Sequence, residues 1–185
     1  MTTFEGYEPV TLQTPTLALE PLRAVHAAET FEALSNPSHY TYIPQNPPAS
    51  LEILRQRYER LEGRRSPNRR ELWLNWAVRV PTGEIAGLVQ ATGFPDGRAL
   101  VAYELFEAFQ GRGLATQAVR AVLLDLRERA RLTYATALVD TRNAKSMALL
   151  ERLGFTRKRF IKDADTFKGS TSDEYEYILD LAALR

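Results

Sequence analysis

Where the strand-like run Ala99 to Phe106 ends, the chain passes through Gln110-Gly111-Arg112-Gly113-Leu114-Ala115 into an amphipathic stretch. That stretch carries Leu114, Ala118, Val122 and Leu126 at a spacing of four and is followed by a second strand-like run, Ala135 to Val139. A strand, a glycine loop, a helix and a strand in that order form a crossover unit, which belongs to a mixed α/β sheet.

The segments before this unit predict an antiparallel meander. Leu72 to Val80, Glu84 to Gly93 and Ala99 to Phe106 are strand-like and are joined by the short turns Pro81-Thr82-Gly83 and Phe94-Pro95-Asp96-Gly97. Upstream, Thr16 to Leu22 alternates Leu17 and Leu19 with polar or small neighbours and stops at Pro21, a short first strand. Val25, Ala28, Phe31 and Leu34 mark one helix face, ended by Ser35-Asn36-Pro37, and Leu51, Leu54, Tyr58 and Leu61 mark a second, with Ser50 as its N-cap. Four prolines between Asn36 and Ser50 forbid regular helix there and predict an ordered loop that displays His39, Tyr40 and Tyr42. Downstream, a helix runs from Ala144 to Leu153 and stops at Gly154. Strands Phe155 to Ile161 and Glu174 to Leu181 close the chain, with a polar loop, Lys162 to Gly169, between them.

Composition removes several classes of function. The absence of cysteine excludes thiolate nucleophiles, thiolate metal sites and redox pairs, and fits a reducing, cytoplasmic setting. No apolar stretch approaches the roughly 18 residues of a membrane span, and Met1 to Glu8 lacks the basic and apolar regions of a leader, so a soluble, unprocessed protein is expected. Lysine and arginine (24) balance aspartate and glutamate (23), which leaves no global field for nucleic acid or an anionic membrane. The basic turn Gly63 to Arg70 holds Arg64, Arg65, Arg69 and Arg70 without the interleaved aromatics of a nucleic-acid platform. There is no His-Glu-x-x-His pattern or clustered His/Asp set, and no metal is expected. With 185 residues the chain is expected to be one domain, 1–185, monomeric or homodimeric.

The glycine loop is the chemical signal. Its glycines let main-chain N–H groups approach a ligand closely, and the first turn of the following helix turns unpaired N–H groups and a positive dipole end outward, which suits a phosphate or diphosphate. A nucleoside-triphosphate P-loop would need Lys-Ser or Lys-Thr after the second glycine, and none is present. A dinucleotide fold is closer, with Asp140 after the next strand as a ribose-binding acid, but Thr116 stands at the third glycine position. The motif also comes too late for a doubly wound sheet.

Coenzyme A is the third possibility, and here the residues carry a family resemblance. Gln110-x-x-Gly113-x-Ala115 resembles the Q/R-x-x-G-x-G/A signature of the GNAT superfamily of acetyl-CoA-dependent N-acetyltransferases. Asn143-Ala144-Lys145-Ser146 followed by Leu149-Leu150-Glu151-Arg152-Leu153-Gly154-Phe155 resembles a segment of its ribosomal-protein N-terminal (alanine/serine) acetyltransferase branch. The resemblance runs from about Thr16 to Leu181 and departs at the basic turn and the aromatic loop.

It implies a GNAT fold: a mixed sheet of about seven strands with splayed central strands, flanked by about four helices. It also implies transfer of acetyl from acetyl-CoA to a primary amine by direct attack in a ternary complex. The acceptor would be a protein N-terminus or a small amine such as an amino acid, polyamine or antibiotic. A non-catalytic acyl-CoA sensor is the rival. The implied coenzyme residues are Leu105, Phe106, Gln110, Gly111, Arg112, Gly113, Leu114, Ala115, Thr116, Asn143 and Ser146. An amine with a pKa near 10 needs a base before it attacks a thioester. Asp165 is the first choice and Glu104 the second. Ser146 is placed near the departing thiolate, a backbone N–H near Phe106 serves as oxyanion donor, and His39, Tyr40 and Tyr42 are placed near the acceptor.

Overall fold

A computed structural model describes residue 4 and residues 6–184 of the chain. Met1, Thr2, Thr3 and Glu5, which belong to the segment read above as carrying no leader, lie outside the described residues. No helix among the described residues is long and apolar enough to cross a membrane.

Eight strands form one sheet, β1 (Leu12–Gln13), β2 (Ala18–Pro21), β3 (Leu72–Arg79), β4 (Ile85–Gly93), β5 (Arg98–Leu105), β6 (Tyr134–Asp140), β7 (Thr156–Phe167) and β8 (Ser170–Asp180), in the spatial order β1-β2-β3-β4-β5-β6-β8-β7. The helices are α1 (His26–Leu34), α2 (Leu51–Glu62), α3 (Leu114–Glu128) and α4 (Ala144–Arg152). The count exceeds the expected seven strands by β1, a two-residue strand paired with β2 and too short to leave a periodic pattern.

Alternation along the sheet supplies both cores. Leu72, Leu74, Trp76 and Val78 of β3 face α3 and α4 together with Val119, Val122, Leu123 and Leu150. Ala77, from the opposite face of the same strand, packs with Leu34 of α1 and with Leu54 and Tyr58 of α2. Ser50 caps α2 as expected, its hydroxyl accepting from the Ile53 N–H at 3.2 Å, a cap worth about 1 kcal/mol.

Two segments differ from their expected form. The first is the aromatic loop, which contains one turn of 3-10 helix, Pro37–Tyr40, because Pro37 sits at its start, where a missing N–H costs nothing, and Asn36 accepts from Ser38 N–H at 3.0 Å. The second correction concerns Lys162 to Gly169. Lys162 to Phe167 are not loop but continue β7, pairing Asp165 with Ser172 and Phe167 with Ser170 after an irregularity between Ile161 and Asp165, and only Lys168 and Gly169 form the turn. β7 lies at the sheet edge, largely exposed on both faces, so no alternation of apolar residues marks its second half, from Lys162 on, as strand.

The crossover does what its order of elements demands. β5 and β6 run parallel but pair only at Arg98↔Tyr134, Ala99↔Ala135 and Leu100↔Thr136. Beyond that point β5 continues to Leu105 and β6 to Asp140 without pairing, and the sheet is open between them.

Candidate active site

The opening between β5 and β6 leaves backbone groups of β5 without a strand partner, and the loop that follows takes over one of them. Phe106 donates its N–H to the Ala86 carbonyl at 2.9 Å, so it belongs to the β4 side and is not the free donor expected near that position. Alternation turns the N–H and C=O of Leu105 the other way, into the opening. Gln110 Nε2 donates to the Leu105 carbonyl at 2.9 Å, and Lys145 of α4 approaches Gln110 Oε1 at 3.5 Å. Gln110 thus holds the margin of the opening.

Gly111 and Gly113 have φ of +76° and +74°, and a Cβ added at either would meet no protein atom within 4 Å. The glycines are therefore required by backbone conformation and not by packing. Gly113 is the N-cap of α3 and brings no side chain to the first-turn N–H groups of Leu114, Ala115 and Thr116, which face outward from a 15-residue helix. Arg112 is exposed, its guanidinium 5.8 Å from the centre of the Phe109 ring. Thr116 Oγ1 receives Arg152 of α4 at 3.4 Å, so α3 and α4 are tied at this end.

Consecutive residues of β5 serve the two faces of the sheet. Tyr103 points toward α4, where its hydroxyl lies 2.7 Å from Ser146 Oγ. Burial pushes this phenol up to about 12, against a lowering by the serine hydroxyl. Asn143 Oδ1 caps α4 by accepting from Ser146 N–H at 3.1 Å, which fixes the serine.

Glu104 points to the α1–α2 face, where its Oε2 lies 2.6 Å from His39 Nε2. The His39 side chain is 9% exposed and that of Glu104 is 24% exposed. The imidazole packs against Tyr40 (5.3 Å) and Phe106 (5.7 Å). Two residues expected separately, one as base and one as substrate contact, are thus brought into a single pair across 65 positions of sequence.

Glu104 forms part of the wall of a recess of about 390 Å³, open mouth included, with Tyr40, Gln45, Arg57, Asn75 and Gln90 among its lining. Tyr40 is anchored by donating its hydroxyl to the Leu34 carbonyl at 2.8 Å, and Lys168, at the β7–β8 turn, donates to the Tyr40 carbonyl. Burial raises the Tyr40 phenol, and the charge of Glu104 raises it further. Tyr42 is exposed and does not line this recess. Asp165 sits on β7, half-buried, its Oδ1 accepting from the Thr166 N–H at 2.7 Å; it is not among the recess residues.

Three contributors have no signal in a single sequence. Tyr103 and Arg57 lie in ordinary strand and helix patterns. Gly87 lies in β4, where an added Cβ would stand 2.1 Å from the Glu104 carbonyl oxygen, so only glycine lets β5 run this close. Among the described residues no group of three or more His, Cys, Asp or Glu could hold a metal ion.

A family model, the acetyltransferase (GNAT) domain, matches residues 16–156. No curated protein matches the chain. Among solved structures, a ribosomal-protein-S5-alanine acetyltransferase from Vibrio fischeri superposes with a TM-score of 0.83 at 21% identity, over 96% of this chain and 100% of the other. RimL, a ribosomal L7/L12 alpha-N-protein acetyltransferase in complex with coenzyme A, gives 0.80 at 21% identity, over 93% and 96%. The microcin C7 self immunity acetyltransferase MccE, in complex with acetyl-CoA and AMP, gives 0.79 at 18% identity, over 90% and 93%. At these identities the likeness is one of fold.

Proposed function

The chain belongs to the GNAT acetyltransferase family and is an N-acetyltransferase, and from that premise we propose that it transfers acetyl from acetyl-CoA to a primary amine through the opening between β5 and β6. The observation that carries this reading is the placement of that opening, between the glycine-capped start of α3 on one side and the Glu104 recess on the other. We take the whole chain, 1–185, as one acetyltransferase domain. Both RimL and MccE were solved with the coenzyme or its acetyl form, which supports acetyl-CoA as donor here.

In this reading the N–H groups of the Gly111 to Thr116 turn receive the diphosphate, and the pantetheine arm runs along Leu105 and Phe106 into the opening. Glu104, paired with His39, takes a proton from the acceptor ammonium directly or through one water. The neutral nitrogen attacks the thioester carbon, and its carbonyl oxygen gathers charge facing the Leu105 N–H. The C–N bond forms and the C–S bond breaks; the nitrogen gives up its second proton to solvent as the amide forms, and the thiolate leaves as the thiol on taking a proton from the hydroxyl pair Tyr103 and Ser146, which solvent restores. Glu104 is placed ahead of Asp165 as base because it lines the recess and has a buried partner.

The test is a pair of substitutions. Glu104→Gln should lower kcat by a factor on the order of 10² or more with little change in the KM for acetyl-CoA, whereas Asp165→Asn should stay within about threefold of the parent. The reverse ranking would return the base to Asp165. A protein N-terminus leads as acceptor on the sequence resemblance of 143–155, supported by the two ribosomal-protein acetyltransferases among the structural neighbours. MccE, of similar TM-score, keeps small amines as the second reading.

A further inference from the structure

The recess beside Glu104 carries charges of both signs that do not neutralise one another. Glu104 is engaged with His39. Arg57 of α2, on the same wall, has a neutral partner, Gln45 Oε1, at 3.3 Å. The acids of α2 are already taken by other arginines: Glu52 and Glu59 by Arg55, and Glu62 by Arg23 at 3.6 Å. Among the described residues Arg57 makes no ion pair, although it stands near enough to Glu104 that both charges act on the hydroxyls of Tyr40 and Tyr58, in opposite senses. The rest of the polar lining, Gln45, Asn75 and Gln90, is uncharged.

A carboxylate and a guanidinium on one small recess form a receptor for a molecule with the complementary pair. We propose that the acceptor amine carries a carboxylate, held by Arg57 while the ammonium end reaches Glu104. The inference rests on the reading of this recess as the acceptor site. A single guanidinium matches the two oxygens of one carboxylate in a bidentate, charge-assisted pair. Two sources share that chemistry: a free amino acid, and a peptide whose N-terminal residue is followed by aspartate or glutamate.

The experiment compares matched acceptors with the full chain and acetyl-CoA, reading coenzyme A release and product mass. One arm sets free amino acids against their carboxamides; the other sets peptides beginning Ala-Asp, Ala-Glu or Ser-Glu against Ala-Asn, Ala-Gln or Ser-Gln. In at least one arm the carboxylate acceptor should have a kcat/KM about tenfold or more above its amide, as charge-assisted hydrogen bonds warrant. Arg57→Gln should erase that preference mainly by raising the KM for the carboxylate acceptors, and Arg57→Glu should reverse it. Arg57 is exposed on α2, and a rise in Tm with acetyl-CoA equal to that of the parent reports that each variant is folded. Equal rates for carboxylate and amide in the parent, or a preference that survives Arg57→Gln, overturn the inference and leave acetyl transfer standing. Coenzyme binding without transfer to any member of either arm overturns the acetyl-transfer reading of the recess, and the inference with it.

Discussion

Tyr103 and Glu104 are consecutive residues that reach opposite faces of the sheet, and the chemistry proposed here needs both. The 2.7 Å contact between Tyr103 and Ser146 has a structural role in tying β5 to α4, and a chemical one if it protonates the departing sulfur. The two are separable. Tyr103→Phe should reduce kcat roughly tenfold to a hundredfold with the KM for acetyl-CoA within about twofold, whereas a purely structural contact would show as a loss of about 1 kcal/mol in urea unfolding with turnover intact. Because the phenol is pushed up to about 12, it stays protonated and able to donate throughout the usual assay range. The glycine loop and Ser146 were legible in the sequence because each lies within a short contiguous motif. Tyr103 was not, since its partner is 43 residues away and a tyrosine in a strand is ordinary. Glu104 and His39 were each legible singly, but a pairing across 65 positions exists only once the loop has folded onto β5.

At the scale of elements, the close passage of β5 over Gly87 sets where the sheet opens. Gly87→Ala would drive a methyl group to 2.1 Å from the Glu104 carbonyl oxygen, backbone that cannot rotate away. The expected cost is roughly 3 kcal/mol, a fall of about 6–12 °C in Tm by thermal scan, and the surviving folded protein should show turnover reduced more than coenzyme affinity. The meander β3–β5 and the crossover through α3 to β6 were readable, because buried strands alternate or run apolar and a glycine loop marks the helix start. The β7–β8 hairpin was readable only at its base. Beyond Ile161 its first strand bears Lys162, Asp163 and Asp165, and Asp163 takes a left-handed φ of +49°, a local shape that resembles a turn until β8 pairs with it.

For the molecule as a whole, the two cores grip the sheet from both sides and meet a gap that neither fills. A ligand seated there binds only the folded chain, so acetyl-CoA at about a hundred times its Kd should add about 2.7 kcal/mol of stability, roughly 5–10 °C in Tm for a domain of this size. In Gly113→Val a β-branched residue must adopt φ near +74°, so the coenzyme-dependent rise in Tm should shrink to about 2 °C or less under the same conditions. A full-sized rise in that variant would mean that the turn does not hold the diphosphate.

On the proposed reading the gap in the sheet has two doorways of different character: one framed by outward-facing amides at the head of α3, the other by a small chamber lined by an acid and a guanidinium. On the proposed reading donor and acceptor arrive by separate routes and touch only at the threshold, so spent coenzyme need not depart past the newly acylated product. Traffic of that kind lets the chamber change its clientele through substitutions on α2 and the aromatic loop while the donor entrance stays as it is.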